Sequence, residues 1–235
     1  LVYTTPAHQF PMGMMMSIKR RQQLLEWAAE HKALIIEDDY DSEYRFSGLP
    51  SEPLLTQSLR EKAAVHNRVL MVGSFSKTIF PSLRLGFILG HTDLINPLIV
   101  RKTIEDAGTS ILDQAILTRF IQDGHYHRHL RKSRRNNARR HQILINCIED
   151  RLGSEVIVGE AKTGLHITLS LPRTNIQTGA LKEALSGNSV LAHPLSSFAL
   201  KKLRHEGLVL GFSRLSEQEI VQGVERIRRA LYSLR

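Results

Sequence analysis

The sequence predicts an α/β fold, with a mostly parallel sheet over residues 1–105 and a smaller α+β domain over residues 106–235. Three observations carry that expectation. Short runs rich in Val, Ile and Leu stop abruptly at polar clusters, the pattern of strands buried on both faces. Helical periodicity takes over from about His91. The last part of the chain then shows one strictly alternating strand and one well-signalled helix.

Taken in order, LVYTTPAHQF reads as a strand running into a loop, and a chain opening at Leu1 in such a strand is expected to be a fragment with an upstream part. Residues 17–31, SIKRRQQLLEWAAEH, read as a helix with Trp27 in its core, and Met14 to Met16 as packing at its entry. Leu34 to Ile36 form an apolar run ending at Glu37, Asp38 and Asp39; Val69 to Val72 end at Gly73-Ser74-Phe75-Ser76-Lys77; Leu83 to Leu89 form a third run. Polar groups at the C-terminal ends of such strands stand where open α/β sheets bind ligands. Helices are expected over residues 111–122, 126–152 and 178–185, and strands at 155–158 and 208–212. In GLHITLSLP, Leu165, Ile167, Leu169 and Leu171 share one face, with His166, Thr168 and Ser170 on the other. His166 and His193 read as structural histidines. Ser216 with Glu219 makes a capping box ahead of the apolar stripe Ile220, Val224, Ile227, Leu231 and Leu234.

The 235 residues are 42% hydrophobic and 23% charged, enough for real cores. No apolar run approaches the ~18–20 residues needed to cross a bilayer, so no membrane partner is expected. A single cysteine, Cys147, excludes an internal disulfide and fits a cytoplasmic protein. Net charge is +9 with pI near 9.9. Much of that excess lies in Arg128, Arg131, Lys132, Arg134, Arg135, Arg139 and Arg140, which on a helix cover nearly every side with few aromatics between them. That reads as a solvated connecting helix; the alternative is a nucleic-acid surface, whose affinity would fall steeply with salt.

Two constellations carry chemistry. Lys77 follows a buried-looking strand within S-F-S-K-T, where an ammonium is costly unless bonded or deprotonated. A deprotonated lysine amine forms Schiff bases with carbonyls, including pyridoxal phosphate. Ser74 and Ser76 offer donors for a phosphate, and Arg84 a guanidinium. A nucleotide phosphate loop is excluded, because Met71 and Ser76 stand where its glycines belong. In E-D-D-Y-D-S-E-Y, Asp38 and Tyr40 offer a carboxylate for a pyridine nitrogen and a phenol for the ring's 3′ oxygen. A divalent-metal site from Glu37, Asp38, Asp39, Asp41 and Glu43 is the alternative; it lacks the central glycine of a calcium loop, and strand alternation keeps its members apart.

TPAHQFPMG, EDDYDSEYRFSG, GSFSKTIFPSLRLGF, DGHYHRHLRKSRRNNARR and TGLHITLSLP, in that order, resemble the fold-type I, pyridoxal-phosphate-dependent aminotransferase-like domain of MocR-type regulators of the GntR superfamily. The resemblance covers essentially the whole chain. It implies Lys77 as the Schiff-base lysine, Asp38 against the pyridine nitrogen, Tyr40 on the 3′ oxygen, and Ser74, Ser76 and Arg84 on the phosphate. It also implies a cytoplasmic homodimer, DNA bound through a winged helix outside this sequence, and pyridoxal phosphate or an amino compound as effector. A working aminotransferase acting on an amino acid is the alternative. Two departures bear on that choice. Phe10-Pro11-Met12-Gly13 stands where aminotransferases have N-P-T-G, and Val209 stands where they hold a carboxylate-clamping arginine, leaving Arg204 as the nearest candidate.

Overall fold

The computed structural model describes residues 1–48, 52–60, 67–160, 162–172 and 176–234. The chain forms two compact units: Leu1–Gln9, Met15–Glu43 and Leu49–Ser133 make the first, and Phe10–Met14, Tyr44–Gly48 and Arg134–Arg235 the second.

The first unit is built on a four-stranded sheet of β1 (Val2–Thr4), β2 (Ile35–Asp39), β3 (Val69–Ser74) and β4 (Gly86–Gly90), hydrogen-bonded in that order. β1, β2 and β3 are parallel, with Val2 opposite Ile35 and Ile35 opposite Val69, whereas β4 runs antiparallel to β3. Helix α1 (Ile18–Glu30) starts at Ser17, whose side chain accepts from the Arg20 N–H, and buries Arg21, Leu25 and Ala28. Leu25 and Ala28 meet Ile35, Val69 and Leu54, the first residue of the short helix α2 (Leu54–Ser58), in one core. Trp27 falls off this buried face; it is 40% exposed and stacks on His31, contrary to the expectation of a core residue. Met14 is exposed too. β4 also departs from the both-faces-buried pattern. Last in the order of the four described strands, it has Phe87, Ile88 and Leu89 substantially exposed, and it starts only at Gly86 because Pro81–Leu83 turn as a single 3-10 helix. Helices α3 (Thr92–Asp106) and α4 (Ile111–Gln122) follow.

Helix α5 (His125–Leu152) is continuous, and the changeover between units falls within it, after Ser133. Its buried residues Leu130, Asn137, Leu144, Ile148 and Leu152 recur at helical spacing and define one inward face. The second unit holds an antiparallel sheet of β5 (Ile157–Val158), β6 (His166–Ser170), β7 (His193–Pro194) and β8 (Gly207–Gly211), ordered β5-β6-β8-β7. Its core joins Leu144 and Ile148 to Ile167, Leu169, Leu208 and Leu210, closed by Leu181 and Leu185 of α6 (Thr178–Gly187) and the stripe Ile220, Val224, Ile227 and Leu231 of α7 (Glu217–Tyr232). The Ser216–Glu219 capping box is present as the sequence predicts. β6 is buried on both faces rather than one, because His166 and Thr168 both donate to the Pro11 carbonyl of their own unit. No helix among the described residues is long and apolar enough to cross a membrane.

Candidate functional site

The parallel pairing of β2 with β3 sets Asp38 opposite Val72 and Asp39 opposite Gly73, so both strands deliver their polar residues at one edge of the sheet. β2 runs on through the acidic residues to Asp39 instead of stopping at Ile36, which puts successive carboxylates on alternate faces. Each takes its own partner. Glu37, buried, accepts from the Leu54 and Leu55 N–H groups (2.9 and 3.0 Å) and so caps α2; burial pushes its carboxyl up, while these bonds and Arg21 oppose the rise. Asp39 accepts from the Ser42 N–H and hydroxyl, and burial raises its carboxyl as well. Asp41, buried, lies 2.9 Å from Nδ1 of the equally buried His8. Asp38, half-buried, receives the Tyr3 phenol on Oδ2. The Tyr3 phenol is pushed up to about 12, first by that bond, then by burial and the carboxylate's charge. The acidic run therefore does not converge on one ion.

Tyr40 donates its hydroxyl to the His8 carbonyl at 2.8 Å. Burial, followed by the charges of Asp41 and Asp38, holds it well above the usual phenol range, so it remains a neutral donor. From β3 the chain enters the loop of residues 75–85. The Ser76 N–H donates to Ser74 Oγ at 3.1 Å, and Ile79 N–H to the Phe75 carbonyl, which winds the Lys77 segment into one turn. Phe75 N–H then bonds the Leu85 carbonyl, and Ser74 pairs with Gly86, so the loop is closed at its base. Arg84 ends the 3-10 turn in the left-handed region at φ 52°, an uncommon conformation for a non-glycine residue. Gly73 lets the Phe87 ring lie close against the backbone, since a Cβ there would stand 2.2 Å from the ring and force it aside. Lys77 has the strand-end position the sequence predicts but not the burial: it is exposed, as is Arg84.

Asp38, Tyr40, Ser74, Ser76, Lys77 and Arg84 thus all belong to the first unit and its β2–β3 edge. Arg204 belongs to the second unit. There it lines an open cleft of about 580 Å³ with Lys201, Lys202, His205, Gln177 and Thr178. Val209 is buried in β8 opposite Thr168.

Sequence reasoning missed several residues. Arg21 is buried, donating to the carbonyls of Met16, Glu52 and Pro6; the one available signal was a cation on the apolar stripe of α1. Burial lowers its guanidinium, with Glu37 and Asp39 acting against that. The His8–Asp41 pair joins residues far apart in sequence and left no local signal. Glu206 gathers the Ser196 N–H and hydroxyl, the Thr178 hydroxyl and its neighbour's Gly207 N–H.

Fit to pyridoxal phosphate is testable on these residues. Among the described residues Asp38 Oδ1 takes no hydrogen bond while Oδ2 is held by Tyr3, leaving one carboxylate oxygen for a ring N–H. Ser74, Ser76 and Arg84 place hydroxyls and a guanidinium on the same loop as the exposed Lys77. The donor set fits.

A parallel-stranded α/β unit with a lysine-bearing loop after β3, followed by an α+β unit, defines the fold-type I transferase class. The chain belongs to the aminotransferase class I and II family, whose model matches residues 2–227. It is 36% identical over 230 residues to the HTH-type transcriptional regulator YhdI of Bacillus subtilis, covering 98% of this chain and 48% of YhdI. It is 32% identical to the probable rhizopine catabolism regulatory protein MocR of Rhizobium meliloti, covering 100% of this chain and 46% of that protein. Among solved structures, LysN, the α-aminoadipate aminotransferase of Thermus thermophilus complexed with N-(5′-phosphopyridoxyl)-L-leucine, superposes at TM-score 0.86 with 26% identity, over 99% of this chain and 58% of that one. The chain therefore spans about half the length of the curated relatives it matches.

Proposed function

We propose that this chain is the cofactor-binding, effector-sensing part of a cytoplasmic bacterial transcriptional regulator, binding pyridoxal phosphate at the β2–β3 edge. On this reading residues 1–105 carry the cofactor residues and 106–235 the smaller domain. Asp38 would hold the ring nitrogen, Tyr40 would give its hydroxyl to the 3′ oxygen in place of the His8 carbonyl, Ser74, Ser76 and Arg84 would hold the phosphate, and Lys77 would offer its amine. When bound, pyridoxal phosphate supplies an aldehyde for amines and a protonated ring that draws electrons from the attached carbon. The observation that carries regulator over enzyme is Val209, a buried apolar side chain where a substrate carboxylate would need a guanidinium. The greater identity to YhdI and MocR than to LysN supports the same choice. An amino compound as effector would act by its different affinity for two arrangements of a homodimer, altering how attached winged helices meet DNA. The second reading, an aminotransferase, is favoured by the likeness to LysN, with Arg204 as the carboxylate clamp.

The test is an absorbance titration of the full-length protein with pyridoxal phosphate, alongside Lys77→Ala. The expected outcome is a visible band that needs Lys77 and is fixed by borohydride. No band would sink the cofactor assignment. A band that amino acids shift without keto-acid release supports the sensor; stoichiometric keto acid replaces it with the enzyme.

A further inference from the structure

Helix α5 carries an electrostatic division that its composition conceals. At 3.6 residues per turn, Arg128, Arg131, Lys132, Arg135 and Arg139 fall within an arc of about 100°. All are exposed, and they lie opposite the buried Leu130, Asn137, Leu144, Ile148 and Leu152. Rising ~1.5 Å per residue, the stripe is about 16 Å long. No acidic residue occurs in the helix between His125 and Ile148. Arg139 is bound by Glu217 through Nε at 2.6 Å, so the stripe is neutralised at that end. Arg128 bonds only uncharged groups, the Asp123 carbonyl and the His125 ring. No carboxylate is bonded to Arg128, Arg131, Lys132 or Arg135 among the described residues.

We propose that this face of α5 docks on the phosphate backbone of duplex DNA, as a second contact separate from any DNA-reading domain. A row of guanidinium and ammonium groups along one face of a continuous helix suits the closely spaced charges of a duplex, about one per 1.7 Å of axis. The same features count against other polyanions. A membrane-surface helix inserts its apolar face, and the apolar face of α5 is buried in protein. Single strands are held by aromatic platforms between the cations, and the stripe from Arg128 to Arg139 contains none. Contacts of this kind carry no base specificity; they add affinity and orient whatever is attached. The inference does not require bound cofactor.

The experiment measures binding of the 235-residue chain to a labelled duplex of arbitrary sequence between 50 and 200 mM salt. With four cations not bonded to a carboxylate engaged, the log–log slope should be about −3.6, and affinity should fall about 150-fold across that range. The triple variant Arg131→Gln, Lys132→Gln, Arg135→Gln should reduce the slope to about −1. A charge-matched control, Lys201→Gln, Lys202→Gln, Arg214→Gln, alters exposed cations elsewhere and should bind as the parent does. Equal weakening in both triples would show diffuse charge attraction and overturn the proposal, as would absence of binding at 50 mM salt. Tighter binding to anionic phosphatidylserine vesicles than to the duplex would overturn it in favour of lipid. Should the triple variant lose helix content by circular dichroism, Arg135→Gln alone is read in its place, with a slope change of about 1.

Discussion

At the scale of single residues, the strongest organisers are charged groups that have left solvent. Glu206 is buried with its carboxylate at the centre of several donors. Burial alone would push it up, but bonds from Ser196, Gly207 and Thr178 outweigh burial and hold it below the ordinary carboxylate range. A carboxyl lowered in the fold stabilises at pH above its unfolded value, and that contribution is lost as pH falls through the lowered value. Glu206→Gln should therefore cost about 2 kcal/mol near neutral pH and much less at pH 3, since bonds to a charged acceptor exceed neutral ones. Urea unfolding of both proteins at the two pH values checks this; an equal difference at both would assign the loss to packing. None of this was legible in sequence. Glu206 sits in a polar loop, and its partners come from Thr178 and Ser196, which only the fold brings to it.

Elements were more legible than residues, because periodicity is local and partners are not. The extents of α1, α4 and α5 follow closely from spacing in the sequence, and α7 is announced by Ser216 and Glu219. Ser216→Ala removes the acceptor for the Glu219 N–H and should destabilise the second unit by about 1 kcal/mol, read as a lower urea midpoint with unchanged slope. Where the sequence misled, a non-local fact was responsible. β6 alternates like a half-exposed strand, yet the Pro11 carbonyl satisfies its polar face and lets both faces be buried. The acidic run after Ile36 resembled a possible ion site until Leu54, Tyr3, Ser42 and His8 each claimed one carboxylate. The candidate site was legible to the extent that its residues are contiguous: Ser74, Ser76 and Lys77 are neighbours in sequence, as are Asp38 and Tyr40. Their being placed side by side depends on the β2–β3 register, which no local pattern encodes.

For the molecule as a whole, the division of the core decides how the chain comes apart. Among the described residues, the buried cluster of the second unit draws on two long helices and a sheet, whereas that of the first is smaller and centred on Leu25, Ile35 and Val69. The single tryptophan, Trp27, lies in the first unit. Denaturation followed by tryptophan emission should run ahead of that followed by circular dichroism, which sees the helices of both units. Coincident curves would mean that the chain unfolds as one block. The antiparallel return of β4 has a different consequence. Because Ser74 pairs with Gly86 and Phe75 with Leu85, residues 75–85 leave and re-enter the sheet through one clamped doorway. Segments anchored in this way behave as interchangeable cassettes: their length and chemistry can be rewritten without re-threading the strands beneath. A scaffold that carries Lys77 on such a cassette can have the surroundings of that residue altered by small edits, with the strands that present it left intact.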